Sequence, residues 1–479
     1  MSDPNSGSTA RRPGAGRPRR AVVLGGGMAG MLAAAVLADR ADEVVVVDRD
    51  RMPAAARSRK GLPQARHAHL LMAGGARAVE TLLPGTIDRW VAAGARRIAV
   101  PTGLVVLGPH GWFPRRPETH FMMACTRDLL DLVVREQVLA RPGITLREGT
   151  EAVALAGDAG RVTGVRVRDT GADAAAGTIE ADLVVDACGR GSQAARRLVE
   201  LGLPAVREET VDAGLVYATR IFRAPAGSEN FPVVTVQADA RVPVPGRGAT
   251  LVPIEGGRWL VTASGTRGGE PSREAEAFEP FLRGLRHPLV ADLIAGAEPL
   301  TDVHLSRSTV NRRRYFERLP AWPEGFVVLG DALAQFNPVY GQGMSVAAQS
   351  AVALRDVLGE RAPGAPGPAR SVQRSVARVA GGAWDLATGE DINYPGAIGA
   401  RPPLAARLLR GYFMRLMRTS TVNPTVLRHL MAVMTLSAPM SELVRPQVVL
   451  GVLRGPGRAA RIGPTITPAE LALCGPGPG

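Results

Sequence analysis

The sequence predicts an α/β fold: a nucleotide-binding domain of alternating strands and helices, an antiparallel β-sheet domain set into it, and a helical C-terminal region. Three observations carry the prediction. AVVLGGGMAGMLAAAVLA followed by EVVVVD reads as a strand at 21–24, a glycine turn, a helix at 28–38 and a strand at 43–47. Residues 213–265 then change to β-rich runs, GLVYATRIF, FPVVTVQAD and ATLVPIEGGRWLVTASG, with a hairpin turn at Glu255, Gly256 and Gly257. At Phe326 the buried-strand pattern returns as FVVLGD, with a loop and a helix from about Gly343 behind it.

The boundaries that follow are a disordered basic tail at 1–20, a discontinuous nucleotide-binding domain at 21–205 and 306–360, and a β-sheet substrate domain at 206–305. Helices fill 370–455, and a Gly/Pro-rich tail ends the chain at 456–479. With 479 residues, 46% of them apolar, the chain can bury a full core. Cys125, Cys188 and Cys474 form no C-x-x-C pair, which fits a reducing cytoplasm and argues against a disulfide scaffold. RRPGAGRPRR ahead of the first apolar run imitates an export signal, but the glycines behind it make a poor membrane helix, so export is rejected.

The formal charge of +14 sits mostly at the ends, with five Arg against one Asp in residues 1–20 and ten Arg against two Glu in 401–470. Aromatic residues make up only 4% and do not interleave with the Arg residues, so no nucleic-acid platform is expected.

The first motif is Gly25, Gly27 and Gly30 in G-x-G-x-x-G spacing, between a strand and a helix that opens on Met28 and Ala29. The glycines serve a tight turn, close approach of pyrophosphate and close helix packing, and the helix start offers free N–H groups to phosphate. The next strand ends at Asp48, where a carboxylate accepts ribose hydroxyls and repels a 2′-phosphate; the pocket suits FAD or NAD and not NADP. A second clamp decides for FAD. Gly330 and Asp331 end a strand, and Pro338, Gly341, Gln342 and Gly343 build a loop into a helix at Met344, whose dipole would stabilise a reduced flavin anion.

Between these lies RKGLPQARHAHLL, with His67 and His69. An H-x-H pair needs another ligand close by, and the next histidine is His110, so no metal is expected. The plain alternative places both rings at the start of a helix through Leu70, Leu71 and Val79.

Together with FMMACTRDLLDLVVRE, DLVVDACGRGS, VDAGLVYATRIFRAP, RGGEP, SRSTVNRRRY and NPVYGQGMS, these motifs resemble the FAD-dependent polyether epoxidases, the monensin- and lasalocid-type polyene epoxidases. That family lies within the single-component flavoprotein monooxygenases, and the resemblance spans roughly residues 21–360. It implies a glutathione-reductase-type Rossmann FAD domain. It implies that Arg59 reaches the pyrophosphate, that Gly61, Leu62 and Gln64 pass beside the isoalloxazine with His67 and His69 near the ring or in helix packing, that Arg127 meets the ribityl or phosphate region, and that Arg49 and Lys60 join the cofactor set. Catalytic residues stay unassigned; Gln64, His67, Asn337 and Pro338 are the flavin-proximal candidates.

The implied chemistry is epoxidation of alkenes in a linear polyketide polyene through a C4a-hydroperoxyflavin, in polyether antibiotic biosynthesis. The substrate would lie between the flavin and the sheet around Val216, Ile221 and Val234. O2 and NAD(P)H-derived electrons are the co-substrates. Aromatic hydroxylases of this fold carry Asp where this chain has Cys188, so electrons are expected through a partner reductase or an unconventional direct site.

A flavin halogenase would need a relay lysine, and the sole lysine is Lys60. An aromatic or isoprenoid hydroxylase, a geranylgeranyl-type reductase, and a non-catalytic flavin-binding scaffold for a membrane or carrier protein stay as alternatives. RPPLAARLLRGYFMRLMRTS spaces Leu404, Leu408, Leu409, Phe413, Leu416 and Met417 near a 3.6 period with Arg residues between. This helix packs onto the FAD domain, covers the substrate tunnel, or presents Arg407, Arg410 and Arg415 to an acyl carrier protein or an anionic membrane surface. The expected place is the cytoplasm, with peripheral membrane contact as the second reading.

Overall fold

The computed structural model describes residues 18–171, 175–361, 363, 364, 367–400, 404–457 and 459–475. Residues 1–17 of the expected basic tail lie outside them. The fold is mixed α/β, as predicted. Its centre is a five-stranded parallel sheet in the order Phe326–Val328, Leu183–Asp186, Arg20–Leu24, Glu43–Val47, Ile144–Arg147. Ala21, Val22, Val23 and Leu24 are all buried because the sheet is covered on both faces, which is why these strands read as unbroken apolar runs.

Helix Met28–Ala38 packs between this sheet and helix Gly343–Leu358. The latter is also crossed by Ala73–Leu82 at close range: a Cβ on Gly75 would stand 2.3 Å from Ser345 Oγ. That crossing fixes where the start of helix Gly343–Leu358 points.

The second layer is a seven-stranded sheet built on Val216–Arg223, Arg258–Gly265, Arg247–Ile254 and Val233–Val236. It is antiparallel except at one edge, where Val233–Val236 runs parallel to Leu104–Gly108. That last strand comes from the FAD-domain half of the chain, a non-local pairing with no local signal. Alternation divides the sheet into two faces. Ala218, Phe222, Val234 and Trp259 pack under helices Ala275–Arg283 and Leu289–Ile294. Ile221, Val233, Val252 and Leu260 pack on the opposite face, with Ile98 and Met122.

This corrects the expected substrate wall. Val234 belongs to the helix-covered face, and Val216 follows it by parity with Ala218; of the three residues named, only Ile221 faces the FAD domain.

Among the described residues, the apolar stripe of helix Leu404–Ser420 packs mainly against later helices of the C-terminal region. Leu416 joins Val426, Leu427, Leu430, Val448, Val452 and Phe113 in a core of its own, with Tyr412, Phe413 and Met417 against it. Each such buried side chain is worth about 1.5–3 kcal/mol over exposure, which turns the stripe inward. Arg415 donates to the carbonyls of Val452 and Leu453 at 2.7 and 2.8 Å, so it caps a neighbouring helix and is not a free surface charge. The side chains of Leu404, Arg407 and Leu408 lie outside the described residues. The Gly/Pro-rich end is docked in part: Ile466 enters the sheet core and Glu470 pairs with Arg115 at 2.6 Å. Among the described residues no helix is long and apolar enough to cross a membrane.

Candidate functional site

A cavity of about 580 Å³ runs from the glycine turn to the start of helix Gly343–Leu358. It gathers Gly25, Gly27, Met28, Ala29, Asp48, Arg49, Arg59, Gly61, Leu62, Gln64, Arg127, Asp331, Asn337, Pro338, Gly341, Gln342, Gly343 and Met344 from segments far apart in sequence. Gly30, Gly330, Lys60 and His67 do not line it. Gly30 and Gly330 stand behind the wall: a Cβ on Gly30 would lie 1.8 Å from the Gly25 carbonyl oxygen, and one on Gly330, whose φ is +60°, would lie 2.9 Å from Ala29 Cβ. Lys60 is exposed.

At the adenosine end, Asp48 accepts from the Gly26 N–H at 2.7 Å, from the Asp50 N–H at 2.8 Å and from Arg59 Nη1 at 3.1 Å. The carboxylate therefore also ties the glycine turn in place. Arg59 lies over that turn, its Nη2 3.7 Å from where a Gly27 Cβ would be, which puts its charge beside the free N–H groups of the helix start. Both features fit a pyrophosphate.

At the other end the Asp331 carboxylate makes no hydrogen bond among the described residues, and burial pushes its pKa up against the pull of Arg190 and Arg127. A half-buried carboxylate with no partner on the protein is an acceptor open to a ligand hydroxyl. Gln342 Oε1 is buried without a partner as well. These groups fit the hydroxyl-bearing chain and ring of FAD.

Arg127 is held by Asp131 at 2.8 Å, at the start of a helix capped by Thr126. Thr126 in turn bonds Glu255 of the hairpin turn through its hydroxyl at 2.7 Å and its N–H at 2.9 Å, so the sheet domain clamps the helix that carries Arg127.

His67 is buried beside the cavity. Its Nδ1 lies 2.8 Å from Thr219 Oγ1, which lies 2.7 Å from Thr262 Oγ1. His69 Nδ1 is used as well, against the His67 carbonyl at 2.9 Å. Neither ring opens the expected helix. They precede a short strand, Leu70–Met72, drawn from helical geometry by antiparallel pairing with His120–Ala124. Among the described residues no group of three or more His, Cys, Asp or Glu is placed to hold a metal ion.

Burial, with His304 and Arg66 adding, lowers the His67 pKa to about 4. The unfolded imidazole titrates near 6.5, so the unfolded state binds the extra proton first; stability is full above that pH and falls as the pH drops toward about 4. Urea midpoints between pH 7 and pH 4 should show this loss, with a shallower slope in His67→Phe; an unchanged slope would remove His67 as its source.

Sequence reasoning missed Asp391 and Arg190, and named His69 only together with His67. Asp391, on helix Pro368–Asp391, accepts from Asn337 Nδ2 at 2.8 Å, Asn311 Nδ2 at 2.7 Å and the Tyr340 hydroxyl at 2.6 Å. Asn337 in turn accepts from the Tyr217 hydroxyl at 3.2 Å and receives a lock from Asn311, which accepts its N–H at 2.7 Å. This buried knot holds the loop that lines the cavity. Arg190, bonded to Ser308, and His69 also line it. The GRGS run could have flagged Arg190. Nothing local marks Asp391. Cys188 stands in the wall with its N–H on Asp186 at 3.0 Å, and Asp186 is buried against Arg197.

Residues 19–371 match the family described as FAD binding domain. Kynurenine 3-monooxygenase of Salinispora arenicola is 30% identical over 71% of this chain and 73% of its own length. Protein Rv3254 of Mycobacterium tuberculosis is 29% identical over 86% of this chain and 88% of its own. Among solved structures, a flavoprotein/dehydrogenase from Cytophaga hutchinsonii superposes with a TM-score of 0.62 at 13% identity, covering 90% of this chain and 96% of that one. The probable FAD-dependent monooxygenase pqsL from Pseudomonas aeruginosa gives a TM-score of 0.56 at 20% identity, over 78% of this chain and 93% of that one.

Proposed function

This chain belongs to the FAD binding domain family and is an FAD-dependent monooxygenase, and from that premise we propose that it epoxidises alkenes of an apolar polyene polyketide in polyether biosynthesis. FAD, once bound and reduced, supplies an activated, electrophilic oxygen from O2. The chain's own work is to hold the cofactor, exclude water and orient the alkene.

The observation that carries the reading is the sheet face behind the cavity. Ile221, Val252 and Leu260 make it apolar, and its Tyr217, Thr219 and Thr262 hydroxyls are all engaged by Asn337, His67 and Ala68 or by one another. These three hydroxyls are therefore not free to act as an acid or base, and His304, opposite Thr219 on the neighbouring strand, is the titratable group left on this side. Activation of a phenol would call for a base, whereas an alkene π-bond attacks an electrophilic oxygen without deprotonation.

Electrons come from NAD(P)H. We assign their delivery to a partner reductase, because Cys188 occupies the wall position where aromatic hydroxylases present Asp, and burial raises its thiol pKa so that it stays neutral. For partners, exposed Leu409, Val444, Leu450 and Leu453 beside Arg445 and Arg454 suit an acidic carrier protein or an anionic membrane that delivers the polyene.

Incubation with a reductase system, NADPH, O2 and a synthetic triene should give products heavier by one oxygen per alkene, seen by mass spectrometry and opened to diols by acid. Saturated triene, or a ring-hydroxylated phenol turned over in its place, would overturn the assignment.

A further inference from the structure

His69 has an unused nitrogen in an informative place. Its ring lies in the cavity wall between Ala68 and Leu70, and its Nδ1 is 2.9 Å from the His67 carbonyl oxygen. A carbonyl oxygen only accepts, so the proton of the neutral ring is on Nδ1 and Nε2 carries a bare lone pair. The ring stays neutral: burial first, then the nearby Arg127 and Arg190 guanidiniums, lower its pKa to about 3. Among the described residues Nε2 has no hydrogen-bond partner. Arg127 and Arg190 are near enough to act on its charge, but their hydrogen bonds go to Asp131 and Ser308 and neither donates to Nε2.

His69 is half-buried and lines the cavity, so its Nε2 lone pair is open to a donor on whatever fills that cavity in the resting enzyme. In oxidised FAD the isoalloxazine has a single N–H, at N3. His69 lines the cavity on the same loop as Gly61, Leu62 and Gln64, the segment expected beside the ring, so the ring N–H is the donor that its neutral acceptor suits.

We propose that His69 is a positioning residue for the flavin, its Nε2 accepting a hydrogen bond from the isoalloxazine N3–H and thereby fixing the ring's in-plane orientation. His67, the histidine that the sequence motif brings forward, serves a different purpose: it joins the sheet through Thr219 and offers its carbonyl to set the His69 tautomer. The proposal depends on FAD binding and is independent of the substrate's identity.

The test uses full-length apoprotein titrated with FAD and with FAD methylated at N3, the affinities being read from flavin fluorescence. The native chain should prefer FAD by roughly tenfold or more, the worth of one buried hydrogen bond together with the crowding of the methyl group. In His69→Ala this preference should collapse toward unity. His69→Gln, which can still offer an acceptor, should keep most of it. His69→Leu serves the same purpose as the Ala variant if that one does not fold. An undiminished preference in the Ala or Leu variant would overturn the proposal, and so would a Gln variant that behaves as Ala does, since that would reduce His69 to packing. A loss of the polyene reading leaves every one of these outcomes interpretable.

Discussion

Asp331→Ala should yield protein that purifies nearly colourless, with FAD affinity lowered by about two orders of magnitude. The carboxylate is half-buried, makes no hydrogen bond among the described residues and lines the cavity, so its partners come from the cofactor. Hydrogen bonds to a charged group are worth about 1.5–3 kcal/mol each, and losing one or two of them accounts for a factor of that size. The fold should survive, because Gly330 and the preceding strand are untouched and the main-chain carbonyl of residue 331 still accepts from Gln335 at 3.2 Å.

Asp48→Ala makes the contrast. Asp48 bonds the Gly26 and Asp50 N–H groups and Arg59, so this variant should lose thermal stability along with affinity, whereas Asp331→Ala should lose affinity alone. Flavin-to-protein absorbance ratios and melting of the apoproteins decide it. An Asp331→Ala protein with full FAD content would dismantle the second clamp.

The difference between those two acids shows what local sequence can and cannot reveal. The strand, glycine turn, helix and strand at the front of the chain were legible residue by residue: Met28–Ala38 and Glu43–Val47 form as the periodicity predicts, because short-range pattern and burial agree there. The loop Pro338–Gly343 was legible because glycine at φ +65° and proline mark a turn chemically.

What stayed hidden depends on contacts distant in sequence. His67 and His69 sit before a strand because His120–Ala124 pairs with it, and the stretch RKGLPQARHAHLL by itself gives no sign of that. Val216 and Val234 have the right composition for a substrate wall, but which face they take is set by which strand side the helices at 275–294 cover. The Leu404–Ser420 stripe was visible as amphipathic, while its partner was not: the receiving surface is assembled from Phe113 and two later helices. Glu470 and Ile466 come from a stretch whose glycines and prolines look like a loose end.

Asp391 is the clearest such case, and Asp391→Ala should be the most destabilising single change near the site. It would leave Asn311 Nδ2, Asn337 Nδ2 and the Tyr340 hydroxyl without their acceptor in a region closed to water. Each orphaned donor costs about 1–3 kcal/mol, so a loss on the order of 3–5 kcal/mol is expected even with some relaxation. The flavin loop should loosen with it, because Asn337 loses the bond that fixes its amide and through it the bond from Tyr217.

Asp391→Asn should be much milder. The two Asn donors share one carboxylate oxygen, which the amide oxygen can replace, and the Tyr340 hydroxyl can rotate to accept from the new NH2. The pair also carries a pH signature. Burial raises the Asp391 pKa, with Asp212 adding to it, against the downward pull of its three hydrogen bonds. The native state thus holds a proton over a window in which the unfolded carboxyl has already lost its own, so the native chain loses stability as the pH rises from about 4 through that window. The Asn variant has no such ionisation. Denaturant midpoints for the two proteins should therefore draw together, or cross, as the pH is raised, and midpoints running parallel across the range would show that Asp391 is not the buried, unpaired charge the geometry makes it.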